Sequence, residues 1–203
     1  MRKNMIYRVG QAALLSLSLM FTACFGNTPP VHFYTLTPLA ESSLPNPGAK
    51  QTKPVSVGVG PLEIPKVLDR SQIVTRSDEN RLFMAEFQRW GGTLSDDFLR
   101  VLAENLSVLL KSEQVLAYPW RDFFDPDFRI NLKVHQFDAE LGREAVLSVT
   151  WSLENAKNRN VLHKSVFREA ISGSQYTDIV SAQSRLLLSL SQEIAGEILK
   201  RKF

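Results

Sequence analysis

The chain carries one thiol, three imidazoles and a few close groups of acids, and these are the side chains able to do chemistry. His32, His135 and His163 lie far apart, and no His-x-x-x-His or Glu-x-x-His spacing sets two ligands on one side of a helix, so no metal site is expected. Asp96 and Asp97 stand where a helix opens and suit its dipole, while Asp122, Asp125 and Asp127 share an aromatic loop without the spacing that surrounds calcium. Neither group is an acid/base pair. The segment "GVGPLE", 58 to 63, begins like a dinucleotide loop, but Glu63 stands where the third glycine belongs, and Pro61 and Pro65 leave no helix to hold a pyrophosphate. Small strand residues that allow close approach are the better reading. No Gly-x-Ser-x-Gly elbow and no Ser-x-x-Lys follows Cys24. Asn105-Leu106-Ser107 matches a glycosylation sequon but falls inside a helix-patterned segment. No cofactor is expected, and no catalytic residue can be named.

Cys24 is different because of where it stands. A lone cysteine cannot close a disulfide within its own chain, and a metal site needs several ligands. Arg2, Lys3 and Arg8 precede an apolar stretch from Ala12 to Phe21, and small residues follow, which together read as a secretory signal over residues 1–23. The stretch is shorter than the roughly 20 apolar residues that span a bilayer. An N-terminal core helix with a buried thiol is the alternative, and the positive flank, the short apolar run and Thr22-Ala23-Cys24 speak against it. The remaining chemistry at this position is acylation. "FTAC", 21 to 24, resembles the bacterial lipobox, with Phe21 in place of the usual Leu. Acylation serves adhesion: each buried CH₂ is worth about 0.8 kcal/mol, one chain binds marginally, and two or three hold durably. Phe25 follows the cysteine where an Asp would retain a lipoprotein at the inner membrane, so outer-membrane delivery is the expectation.

At 203 residues, 44% apolar and 22% charged, the rest of the chain is long enough and ordinary enough to bury one core. The excess positive charge belongs to the signal: once Arg2, Lys3 and Arg8 are removed from 24 basic residues, 21 face 21 acidic ones. From Cys24 onward the chain is neutral, and a nucleic-acid partner is not expected.

Residues 24–30 read as an acylated tether and 31–203 as a single domain. About nine residues separate Cys24 from Phe33, a reach of roughly 30 Å. "VHFYTL" is a short strand, and the Pro- and Ser-rich run after it is a loop. Val55, Val57 and Val59 alternate as a strand that Pro61 and Pro65 should break. "SQIVTR" and "RLFMAEFQRW" are two more strands. Leu94, Phe98, Val101, Leu102, Leu106, Leu109 and Leu110 have one-faced helical spacing over 93–111, with Thr93 or Ser95 as cap. "VLAYPW" is a short strand ended by Pro119, and "RDFFDPD" a loop. Phe128, Ile130, Leu132 and Val134 alternate with polar residues, and Phe137 falls out of phase as a bulge would make it. Leu147 to Leu153 and "VLHKSVFREAIS" complete an antiparallel meander, with a turn at "NAKNRN". A helix from about Thr177 to Lys200 closes the chain, with Lys200, Arg201 and Lys202 at its end. The expected fold is α+β: a mixed, largely antiparallel sheet with a three-strand meander, packed by two long helices.

Residues 57 to 110, with "VGVGP", "LDRSQIVTR", Asn80-Arg81-Leu82, "AEFQRW" and "FLRVLAENL", resemble the PqiC-type lipoproteins, the ABC-type transport auxiliary lipoprotein components. The order of lipobox, "FYTL", Pro-rich connection, this block, meander and terminal helix matches as well. The resemblance implies an outer-membrane lipoprotein without enzymatic activity. It further implies a PqiB-like MCE-domain protein, with its inner-membrane partner, moving lipids between membranes through a tube, and self-assembly of this chain into a ring that matches the tube. Partner contact falls to Asp69, Arg70, Arg89 and Trp90, since Arg and Trp are enriched at interface anchors. Local pairing of Asp69 with Arg70 at a turn, and a core position for Trp90, are the plainer readings of the same residues. A lipid-modifying enzyme and a purely structural envelope lipoprotein are the rival classes.

Cys24 should be the acylated first residue of the mature protein. Intact mass of membrane-extracted protein should show loss of residues 1 to 23 plus acyl chains. Retention of Met1, or wild-type protein that stays soluble, would contradict it.

Overall fold

In a computed structural model, residues 29–40, 54–120, 124–155 and 160–201 are described. The signal, Cys24, most of the tether, most of the Pro-rich connection, Asp122, the turn residues 156–159 and Lys202 lie outside them. The chain divides into Met1–Pro30 and Val31–Phe203, and the described strands and helices all belong to the second unit.

Strands β1 (His32–Tyr34), β2 (Val57–Glu63), β3 (Gln72–Asp78) and β4 (Arg81–Trp90) precede helix α1 (Leu94–Leu110). After α1 come β5 (Val115–Ala117), β6 (Phe128–Glu140), β7 (Glu144–Asn155), β8 (Asn160–Ala170) and helix α2 (Tyr176–Arg201). The strands divide between two sheets: three strands in the order β1-β4-β3, and five in the order β5-β2-β6-β7-β8. Only the pairs β1–β4, β2–β5 and β2–β6 are parallel. The fold is α+β, with two helices and a largely antiparallel pairing pattern.

α1 forms where the apolar spacing requires it, and its ends explain its length. Thr93 is the cap, in extended backbone, and its hydroxyl accepts the Asp96 N–H at 3.2 Å. At the other end Lys111 adopts φ 49°, ψ 49°, and its N–H turns back to Ser107 and Val108 carbonyls. The buried face holds Phe98, Leu102 and Leu106, each 0% exposed. Phe98 meets Phe137 of β6 edge to face, centroids 5.4 Å apart.

Phe137 reaches that partner because β6 bulges. Val134 pairs with Val149 and Gln136 with Ser148, so His135 is the extra residue, and the ones beyond it return to the core face. β2, by contrast, does not stop at Pro61. Its register against β6 shifts between Val59 and Leu62, and pairing then resumes. Gly60 makes the shift possible: it sits at φ +117°, and a Cβ there would stand 2.6 Å from Tyr118 Cβ. Gly58 leaves the space into which Trp120 lies, as a Cβ would come within 3.1 Å of that ring. The glycines of "GVGPLE" thus serve close packing.

Replacing Phe98 with Ala should cost about 3–5 kcal/mol, read by denaturant unfolding of the protein begun at Thr28. Leu162→Ala, at a position 74% exposed, should stay within about 0.5 kcal/mol. Equal effects would mean that the helical face is not the core.

Candidate functional site

The segment from Thr35 to Leu39 follows β1 but belongs to no sheet, so its backbone groups need partners elsewhere. Both helices supply them. Asp97, in the first turn of α1, accepts the Leu36 N–H at 2.6 Å and the Thr35 hydroxyl at 3.0 and 3.1 Å. Arg100, one turn on, donates to Asp97 at 3.1 Å and to the Leu36 carbonyl at 2.9 Å, and also pairs with Glu104 at 3.1 Å. Burial works against the charge of Arg100, but its hydrogen bonds to Asp97 and Glu104 hold its pKa above the ordinary value. Ser184 of α2 accepts the Thr37 N–H at 3.1 Å while donating to Val180. Asn105, 0% exposed, accepts the Leu39 N–H at 2.6 Å and donates to Ser191 at 3.1 Å. The segment that leaves β1 is therefore tied to both helices, and the sequon asparagine is a buried structural ligand.

β1 lies beside the end of β4, with Phe33 opposite Arg89 and Tyr34 opposite Trp90. The two rows face opposite ways. Tyr34 and Trp90 turn to the core: Trp90 is 4% exposed, and Tyr34 donates to Gln88 at 2.6 Å and leans on Tyr176 at 6.4 Å. Burial pushes the Tyr176 phenol above its ordinary pKa, against the opposing hydrogen bond of Thr75. Phe33, 68% exposed, and Arg89 turn outward, and Arg89 makes no ion pair among the described residues, its Nε donating to the Glu86 carbonyl at 3.3 Å.

The four residues singled out as contacts are thus in different situations. Asp69 is exposed and receives a long bond of 3.4 Å from the Ser95 N–H, at the opening of α1. Arg70 is half-buried, reaches the Met84 sulfur, and leaves its Nε buried without a partner. They form no ion pair with each other, so the local pairing expected of them does not occur. Trp90 has almost no surface to offer, in keeping with its plainer reading as a core aromatic.

The candidate chemical groups are occupied structurally. Trp151 donates to Ser165 at 3.0 Å and Ser165 to Glu193 at 2.6 Å, so the hydroxyl proton is already committed to a carboxylate. His163 stacks on Trp151 at 4.2 Å and 9°, with its Nε2 buried and unbonded, so that nitrogen is not set against the serine. Asp127 accepts from the Ser56 N–H and hydroxyl at 2.9 and 2.8 Å, and Asp125 pairs with Arg129 at 2.8 Å. Among the described residues no cluster could hold a metal ion. A charged cleft of about 420 Å³ lies where β3 meets the β6–β7 hairpin. Its three arginines are each paired within it, Arg76 with Asp138 at 2.7 Å, Arg143 with Glu140 at 2.7 Å and Arg168 with Glu144 at 2.6 Å, and Asp78 pairs with Arg81 at 3.0 Å. The hydrogen bond to Asp138 raises the Arg76 pKa despite burial.

Sequence reasoning missed the Asp97–Arg100–Asn105 set. Its signals were a basic residue three positions after the acid and a polar residue on the apolar face of the helix, both of which fit an ordinary solvated helix equally well.

Two helices, a meander and a second small sheet define an α+β domain, tied at its N-terminal segment. Residues 34–195 match the family of ABC-type transport auxiliary lipoprotein components, and the chain belongs to that family. Solved structures agree on the fold. A crystal structure of an uncharacterized protein, 18% identical, superposes with a TM-score of 0.68, covering 84% of this chain and 99% of its own. A Xanthomonas campestris protein, 15% identical, gives 0.64, covering 83% and 95%. No curated protein matched the chain in a search.

Replacing Asp97 with Ala strands the Leu36 N–H and takes one of the partners of Arg100, and should cost about 2–3 kcal/mol. Amide exchange at residues 35–37 should rise with it. Unchanged exchange there would mean that β1 alone holds the segment.

Proposed function

We propose that this chain is anchored in the outer membrane by acyl chains on Cys24. There it serves, without catalysis of its own, as the docking subunit for an MCE-domain protein of an intermembrane lipid transport system. The observation that carries the reading is the family match that begins at residue 34, ten positions after the lone cysteine of a signal-type N-terminus. A tether of about 30 Å cannot bridge two membranes, so the bridging falls to the partner and its inner-membrane component. A ring of identical copies of this chain is the economical match to a tubular partner, because one contact repeats around the axis.

The neutral chain after Cys24 favours shape and apolar contact over long-range attraction. Asp69 and Arg70 are the contact residues of this reading. Both border the loop after Pro65, where Asp69 is exposed and Arg70 is half-buried. Trp90 supports from the core, and Arg89 looks out on the other face of its strand.

Light scattering of the protein begun at Thr28 should give a multiple of the protomer mass. The periplasmic part of a PqiB-like MCE protein from the same cell should bind it at micromolar concentration, and Arg70→Glu should weaken that binding at least tenfold. A monomer with no binding, in solution and on lipid nanodiscs alike, would contradict the reading.

A further inference from the structure

We infer that the outer face of β1 and β4 at Phe33 and Arg89, with Val31 and Phe87 near them in the chain, rests on the surface of the bilayer that holds the anchor, with Arg89 against lipid phosphates. The inference rests on acylation at Cys24, and it assigns the face that the acylated chain turns to its membrane.

Phe33 is 68% exposed and Val31 39%. Val31 directly precedes the strand, and the pairing of Phe33 with Arg89 extends the Phe33 side onto β4. Phe87, two residues before Arg89, is half-buried yet outside the packed core. A large exposed aromatic on an edge strand is costly in water and invites pairing with other chains. In the headgroup region the same side chain is favourable, and a neighbouring arginine adds attraction to anionic lipid. Arg89 is suited to this because it makes no ion pair among the described residues, whereas Arg76, Arg81, Arg100, Arg129, Arg143, Arg168, Arg185 and Arg201 are all paired.

Chain length decides between a membrane and another occupant. From an acylated Cys24 to Val31 there are seven residues, a reach of at most about 25 Å, so this patch can never be far from the bilayer. Leu162 and Val166 on β8 are comparably exposed, at 74% and 54%, but no such bound holds for them. The Asp97 and Asn105 ties fix the segment that leaves β1, so the strand keeps its outward face.

The test uses the acylated full-length protein in vesicles of phosphatidylethanolamine and phosphatidylglycerol. Because acylation consumes the only thiol, Val31→Cys, Phe33→Cys and Leu162→Cys each carry a single nitroxide label. Labels at 31 and 33 should collide several-fold more with dissolved oxygen than with a water-soluble nickel chelate, and the label at 162 should show the reverse. In the Val31→Cys protein, Phe33→Ser or Arg89→Glu should move the label toward water, while Arg89→Lys should leave it in place. Floating protein whose labels at 31 and 33 match the one at 162, or are shielded from both reagents by a protein contact, overturns this inference and leaves the anchor standing. Wild-type protein that takes up label at Cys24 and fails to float with the vesicles overturns the anchor and this inference together.

Discussion

The Asp97 carboxylate is where the segment that follows β1 is fastened to α1. It accepts the Leu36 N–H at 2.6 Å and is itself held by Arg100, which returns a bond to the Leu36 carbonyl at 2.9 Å. Both backbone groups of one residue are thus satisfied by one side-chain pair on one turn of α1. The arrangement resembles a strand pairing made with side chains, and it is needed because Leu36 is buried, at 1% exposure, where water cannot serve its backbone. Asn105 and Ser184 repeat the solution two turns further along α1 and from α2. Distributing the hold over two helices means that no single strand has to carry it.

The rest of the molecule supports that knot. α1 can present Asp97, Arg100 and Asn105 to one segment because Phe98, Leu102 and Leu106 fix its other side on the five-stranded sheet. The sheet offers a flat enough bed because β6 bulges at His135 and β2 at Gly60, which keeps Phe137 and Leu132 in phase with the core. The Arg76–Asp138 pair, with Asp138 almost wholly enclosed, joins the small sheet to β6. Breaking one partner of such a pair strands a buried charge, which suits a joint that fixes where β3 and β4, and hence Asp69 and Arg70, stand.

Much of this was legible from the sequence where the determining interaction is local. The alternation from Phe128 to Val134, the slip at Phe137, the two helical stripes and the Thr93 cap all declare themselves within a few residues. What was hidden depends on distant partners. Pro61 looked like a strand end because the φ of Gly60 and the ring of Tyr118 that tolerate it are invisible in a linear reading. The division into two sheets turns on β4 choosing β1 over β2, a matter of long-range pairing. Trp90 and Arg89 could not be told apart as core and surface because β4 shifts register against β3 between Gln72 and Val74, so simple alternation fails along it. Of the site, the Asp97 set was not legible, since both its acid and its asparagine have ordinary explanations within the helix.

Whether this surface meets an MCE-domain protein at the outer membrane is best measured in the envelope itself. A photoreactive phenylalanine analogue placed at Asp69, in cells that express an MCE-domain protein, captures whatever touches that residue under light. A docking subunit should give a crosslink to the MCE protein from position 69 and none from position 162. Crosslinks at 69 only to unrelated envelope proteins, or to the MCE protein from 162 and not from 69, would contradict that role.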